Sequence, residues 1–587
     1  MNTTSLFRHT SAVTFSLLAL LPFADARYEK NLPAETYGLI QIADVQATAA
    51  TWETHPMKAD LSQGQFEKFF SPILEKLAEE MKQDAEFWTN KEKLEKLARI
   101  FNGELTFAVV NTVKTEKGHD PTDFILQADV NTTEEEIVEL LKDIDFWQEK
   151  TEGEEHLKPV KETFQGVTLH SLEVEISGEG PVNCGGWALL NGKTFVFASA
   201  PNVLRELVDA EQNGRKGNFS EQAIWKREQE MIGKSDSLVF INGRMAFAKL
   251  RDLVKEEVND MEPNGLEIDP IMVYDSLGLD AIDAFWFAGV LEKDVLRYKS
   301  ALSYTEKKGL LSLGTNKPLR NFIPDYVPLD SASFGVAQWD MAQAWANLEQ
   351  LVFGVVPAFK FVYDMQLNEL KTKEGIDLKG ALLENFGDEL VVLSSNQTKS
   401  PQGDVLYVLS LKDATKLESL LATVLGKDPS IRSYFSERDF MGTKINTLQI
   451  PNMSAESDRP QMDIYYAIWN NRLCLGMGAD ASLMEKVIAE KKDGGNKENI
   501  PAALTHAIGF APKDAVAFSY TNVGAQMELM MRQLRMGMEA GGNKEGVDWS
   551  KAPTAKDLPW SVTGYSKELP NAYYGEYIMF REPAAGK

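Results

Sequence analysis

The chain is written twice, and this constrains its fold more than any other feature. Phe66 to Phe107 lies over Leu351 to Val392 without a gap, at a fixed offset of 285. Pro72 falls on Pro357, and Phe101-Asn102-Gly103-Glu104-Leu105 falls on Phe386-Gly387-Asp388-Glu389-Leu390. Further on, Gly166 pairs with Gly442, Asn191 with Asn470, Asp236 with Asp514 and Gly289 with Gly564. The order is kept, and the offset shrinks only by loop-sized deletions. At 587 residues the chain exceeds one core, because single cores stop growing near ~250–300 residues. The expected class is α+β. Two tandem homologous lobes, residues 27–322 and 323–587, each carry a mostly antiparallel sheet with amphipathic helices packed against it.

The N-terminus reads as a secretory signal over residues 1–26. Arg8 is the positive flank, Ser11 to Ala24 is apolar and uncharged, and Ala24-Asp25-Ala26 is a small-x-small cleavage site. The apolar run is shorter than the ~20 residues a membrane-spanning helix needs. No cysteine follows it, so a lipoprotein anchor is not expected. The mature chain is expected to be extracytoplasmic, periplasmic or secreted, after cleavage near Ala26. An uncleaved N-terminal anchor is the alternative. No transmembrane segment is expected in the mature chain. The signal holds one Arg and one Asp, so its removal leaves the net charge of −26 unchanged. Such a field repels nucleic acid and anionic lipid. Two cysteines, Cys184 and Cys474, sit at non-equivalent repeat positions and form no disulfide framework.

Each lobe opens with a Pro-started strand, Tyr37 to Ile42 after Leu32-Pro33 and Phe334 to Ala337 after Val327-Pro328. A helical face follows in lobe 1, made by Phe66, Phe69, Phe70, Ile73, Leu74, Leu77 and Met81. A second helix carries Leu94, Leu97, Ala98 and Phe101, with Asn102-Gly103 as its stop. Helices are expected from Thr133 and Asp413, both good N-caps, and Glu134-Glu135-Glu136 complements the macrodipole of the first. Hairpins are expected around Asn191-Gly192 and Asn470-Asn471. Lys255 to Asp269 and Gly541 to Lys556 read as loops, and Thr315 to Pro328 reads as a hinge.

Comparison with the twin position removes most candidate chemistry. Gly192-Lys193-Thr194 lacks the phosphate-loop Gly five residues earlier, where Trp187 stands. No two of the six histidines have metal-ligand spacing, so no metal and no cofactor is expected. There is no Gly-x-Ser-x-Gly elbow, and Cys184 reads as a small residue in a turn rather than a nucleophile. A carboxylate pair for glycosidase-type chemistry needs only two acids at the right separation, which sequence does not identify. The asparagine sequons at Asn131, Asn218, Asn396 and Asn452 matter only where exports are glycosylated.

Two features differ between the lobes. Leu351 to Val362 is apolar nearly all round, including Val352, Phe353, Phe359 and Phe361, whereas its lobe-1 twin is amphipathic. It has to be covered by the other lobe, a partner or a lipid-like ligand, since each large side chain left wet forfeits roughly 1.5–3 kcal/mol. Burial between lobes is the plain reading. The second feature is the stripe Met527, Met530, Met531, Leu534 and Met538, and Met-rich faces adapt to varied apolar partners. These eight Val, Phe and Met residues form the candidate apolar binding surface.

The mature start, Leu32-Pro33-Ala34-Glu35-Thr36-Tyr37 followed by a strand and Trp52-Glu53, resembles large exported bacterial proteins that open with Leu-Pro-Ala-Asp/Glu-Thr. Those proteins form a domain of unknown function with a duplicated α+β body. Lobe 2 keeps Val327-Pro328-Leu329-Asp330-Ser331. The resemblance implies no catalytic residue. The expected function is a non-enzymatic exported binding or envelope-associated scaffold protein whose partner is a protein or a small apolar ligand. The alternatives are a hydrolase with a carboxylate pair between the lobes and a carrier of a lipid-like ligand.

Overall fold

The computed structural model describes residues 28–62, 64–72, 99–111, 122–142, 157–176, 180–260, 269–395, 403–427, 434–448, 463–478, 480–492, 500–540 and 547–583. The architecture is α+β, with extensive antiparallel sheet and helices laid against it. Two compact units are present. Unit 1 holds residues 1–59, 70–249 and 282–303, and unit 2 holds 60–69, 250–281 and 304–587.

Unit 1 contains β1 (Thr36–Ile42), β2 (Phe101–Asn111), β3 (Thr122–Val130), β4 (Leu157–Phe164), β5 (Val167–Ile176), β6 (Gly180–Leu190), β7 (Thr194–Ala198), β8 (Ser237–Asn242), β9 (Ile282–Leu291) and β10 (Val295–Tyr304). Across the sheet they run β4-β5-β6-β7-β3-β2-β1-β8-β9-β10. One face is closed by the Ala223–Ile232 helix, where Phe219, Trp225, Phe240 and Trp286 form a buried ring cluster with centroids 4.7–6.1 Å apart. The Pro201–Asn213 helix packs Val203, Leu204, Leu207 and Val208 on β6 and β7.

Unit 2 contains β11 (Ser333–Gln338), β12 (Phe386–Ser395), β13 (Asp404–Leu411), β14 (Phe435–Phe440), β15 (Thr443–Leu448), β16 (Asp463–Trp469), β17 (Arg472–Gly478), β18 (Ala517–Asn522), β19 (Trp560–Leu569) and β20 (Ala572–Arg581). Their order is β14-β15-β16-β17-β13-β12-β11-β18-β19-β20, the same path position by position.

Local chemistry sets the turns. Gln165-Gly166 and Met441-Gly442 turn their hairpins with positive φ, as do Asn191-Gly192 and Asn470-Asn471. Gly192-Lys193-Thr194 therefore sits at a hairpin tip. Thr133 and Glu136 form a reciprocal capping box at the start of the Glu134–Lys142 helix. Asn242 and Asn522, each ending a strand, accept from Met245 N–H and Ala525 N–H and start the helix that follows. The Leu-Pro-Ala-Glu-Thr motif is a turn in which Thr36 Oγ1 donates to the Pro33 carbonyl at 2.7 Å, and Ser331 Oγ does the same to Pro328.

Several expectations need correction. Phe101 opens β2 instead of ending a helix, and residues 73–98, with Ile73, Leu74, Leu77, Met81, Leu94, Leu97 and Ala98, lie outside the described residues. Asn102-Gly103 belongs to a bulge between Phe101 and Leu105, repeated between Phe386 and Leu390. A Cβ on Gly103 would come within 2.6 Å of Asp129 Oδ2, and one on Gly387 within 2.4 Å of Ser410 Oγ. The glycines are demanded by that approach, which brings Asp129 Oδ2 onto the Glu104 N–H and Ser410 Oγ onto the Glu389 N–H. Lys255 to Asp260 is helical, because the Gly243–Asp260 helix continues through it. Thr315 to Pro328 is no free hinge within unit 2. Asn316 bridges Trp339, Leu319 N–H reaches the Ala515 carbonyl, and Arg320 pairs with Asp388. Gly289 faces Ser237 while Gly564 faces Ser519, so the sequence pairing of these glycines is two residues out of register.

Candidate functional site

The apolar run divides at Pro357. It forms the end of the Met341–Val355 helix and the start of the Pro357–Glu374 helix, because proline has no N–H to continue the first. The second helix ends on Gly375 in the left-handed conformation, with Lys371 and Lys373 in its last turn.

Glu349 ties the two helices together. Its carboxylate accepts from Trp345 Nε1 (2.9 Å), Tyr363 OH (2.8 Å) and Lys379 Nζ (2.6 Å). Burial acts to raise its pKa, but these donors outweigh burial and hold the group below the ordinary carboxylate value. Phe353 packs beside Tyr363 and Phe359, with ring centroids 5.3 and 6.4 Å away, and Lys360 Nζ lies 5.4 Å from its centroid. Val352 and Phe353 are half-buried.

The outer side of the Pro357–Glu374 helix stays open. Phe361 is 73% exposed, and Phe359, Val362 and Met365 are 40–50% exposed. No residue of this helix is buried. The plain reading of burial therefore fails for Phe359 and Phe361.

The methionine stripe splits by helical phase. Met527 and Met531, four residues apart on the Val523–Ala540 helix, are buried, whereas Met530 is exposed and Met538 is intermediate. This helix rests on β18 and β19. Glu528 accepts from Ala555 N–H at 2.7 Å. Beside it lies a cleft of about 290 Å³ lined by Met531, Arg532, Arg535 and Trp549. The eight predicted residues thus fall on three helices, and only the Phe359–Phe361 side presents a continuous exposed apolar surface.

Two carboxylate groupings were not legible in the sequence. A cleft of about 390 Å³ holds Asp330, Glu528 and Glu582. Glu582 there accepts from Asn522 and Ser561, and Asp330 pairs with Lys486, so these acids serve local structure. Under the Leu-Pro turn of unit 1, Gln41 Nε2 donates to both Glu29 and Glu104, and Tyr28 N–H also donates to Glu104. Burial pushes the Glu29 carboxyl up to about 7. The repeat offers one signal for this network, since Glu104 and Glu389 align. Glu389 accepts from Tyr326 OH and lies 3.6 Å from Arg472.

Cys474 is free and fully buried on β17, and desolvation pushes its thiol up to about 12. The Cys184 side chain lies outside what is described. Among the described residues, no three His, Cys, Asp or Glu side chains are grouped to hold a metal ion. Among them too, no helix is long and apolar enough to cross a membrane.

No protein family matches the chain, and no curated protein matches it. Among solved structures it is similar to crystal forms I, IV and III of TP0453. Identity is 8%, 9% and 8%, with TM-scores of 0.23, 0.21 and 0.22. The matches cover 49%, 47% and 48% of this chain and 81%, 79% and 82% of those chains. At these scores the likeness carries no argument about function.

Proposed function

We propose that this chain is an exported, non-enzymatic binding or envelope-associated scaffold protein that holds an apolar partner at the Pro357–Glu374 helix. The observation that carries this reading is the open side of that helix, where Phe359, Phe361, Val362 and Met365 face solvent. A helix with none of its residues buried gains little from packing inside its own chain, and large apolar side chains left wet are characteristic of interaction surfaces. Export is supported by Arg8, the uncharged run Ser11 to Ala24 and Ala24-Asp25-Ala26. Tandem duplication of one α+β unit is supported by the shared strand order, the matching bulges between Phe101 and Leu105 and between Phe386 and Leu390, and the paired caps Asn242 and Asn522.

A photoreactive phenylalanine analogue at position 361, in the full chain expressed in its own cells, tests the reading. A discrete protein or lipid adduct is expected at 361 and not at position 373, on the helix's last turn. Equal labelling at both positions, or none at 361, overturns it.

A further inference from the structure

Among the described residues, unit 1 carries a second largely exposed apolar surface, on the face of its sheet opposite the Trp286 cluster, with Phe247 of the Gly243–Asp260 helix packed on Phe285 at one edge. Directly opposed residues run Leu126, Phe107, Ile40, Val239, Phe287 across β3, β2, β1, β8 and β9. Phe124, Val109, Gly38, Ile241 and Phe285 lie beside them on the same face, with the Phe107 and Phe124 rings stacked at 5.9 Å. None of these ten positions is charged. Five of them (Ile40, Phe107, Phe124, Ile241 and Phe287) are 36–52% exposed.

The scaffold does not require this bulk. By the same registers, unit 2 places Gly335 where Ile40 stands, Ser519 for Val239 and Gly564 for Phe287. Val392, Val405 and Thr521 replace Phe107, Phe124 and Ile241, while Tyr407 stands for Leu126. There the Val523–Ala540 helix comes down on β18 and β19, and Gln526 donates to Ser394 on β12. The small residues of unit 2 admit its own helix and, over Gly564, the Tyr577 ring. The large ones of unit 1 remain open.

Resting on the binding reading above, we infer that the Pro357–Glu374 helix of one copy docks on this sheet face of a second copy. Size and charge both fit. An 18-residue helix is about 27 Å long, and the five strands span about 19 Å. The helix carries Lys360, Lys371 and Lys373 against Asp364, Glu369 and Glu374, so its net charge is zero within a chain of −26. Helix and sheet face are therefore neutral areas where two strongly acidic copies approach with least repulsion. The nine half-exposed side chains offer on the order of 700 Å² between them. That is below the ~1,000–1,200 Å² of stable specific interfaces, so the pairing is weak, transient and dependent on concentration. Because the two surfaces differ, the contact is head-to-tail.

Sedimentation velocity of the full-length mature chain tests this. The wild type is expected to associate reversibly with concentration, and more strongly as salt screens the charge. Phe361→Glu and Phe287→Glu, both at exposed positions, are each expected to be folded and monomeric. An equimolar mixture of the two variants keeps one good helix and one good sheet face, so it is expected to form a one-to-one pair and nothing larger. A wild type that is monomeric at every concentration, a single variant that still associates, or a mixture that stays monomeric overturns the inference. A monomeric chain whose position 361 still cross-links to another protein or to lipid sinks the self-docking and leaves the binding reading standing. Loss of the adduct at 361 removes the binding reading itself.

Discussion

Beneath the opening turn of unit 1, Glu29, Glu104 and Asp129 meet hydrogen-bond donors that are neutral: Tyr28, Gln41 and Thr106. At the matching place in unit 2, Ser410 stands for Asp129 and Arg472 for Thr194, so Glu389 has a cation within 3.6 Å. Arg472 also lies over the Tyr326 ring at 4.5 Å. One strand order thus carries two settings for the acid at this place. Unit 2 neutralises it with a guanidinium, while unit 1 raises the pKa of Glu29 so that folding favours the proton. The lesson is that strand order is set by turns, caps and bulges, and the interior polar groups are free to vary.

Replacing Arg472 by Ala should give the largest effect. It strips a half-buried carboxylate of its cation and the buried Tyr326 ring of the guanidinium over it, and should destabilise unit 2 by about 3 kcal/mol in urea unfolding. An unchanged midpoint would show that Tyr326 alone satisfies Glu389. Next comes Glu29→Gln. Glu29 ionises near 7 in the fold against an ordinary 4.5, so its contribution is fully present below pH 4.5 and is lost as pH rises through 7. The variant should therefore exceed the wild type by up to about 3 kcal/mol at pH 8 and match it at pH 4. A difference independent of pH would break the contrast between the two units.

Gly564→Phe carries the side chain of Phe287 into unit 2. A Cβ there meets Tyr577 at 2.7 Å and Ser519 Oγ at 2.9 Å, so calorimetry should show a loss of about 2 kcal/mol. Phe287→Gly in unit 1 should cost less, since half of that side chain is already wet. The smallest effect belongs to the paired turns. Thr36→Val and Ser331→Ala each remove one hydrogen bond to a proline carbonyl and should each cost about 1 kcal/mol. A large difference between these two variants would separate the turns that the sequence pairs.

What could be read in the sequence was what local chemistry decides alone. Asn191, Asn470, Gly166 and Gly442 adopt the left-handed angles that their hairpins need, and Thr133 caps where its spacing to Glu136 says it should. Phe101 was misread because a bulge and a helix stop both need a glycine after an apolar residue, and only the strand partner Val130 decides between them. The open sheet face was hidden for a different reason. In β2, Leu105, Phe107 and Val109 alternate with Thr106, Ala108 and Val110, so a two-residue period marks neither side as the wet one. The Pro357–Glu374 helix was recognisable as apolar, but its exposure depends on what the rest of the chain leaves beside it.

Cys474 gives this acidic chain a built-in clock for opening. A thiol sealed inside β17 is inert to an aqueous disulfide reagent until its strand parts from β13 and β16. With Cys184 replaced by serine, every molecule of reagent consumed would count one excursion of the second unit, while the first unit stayed silent.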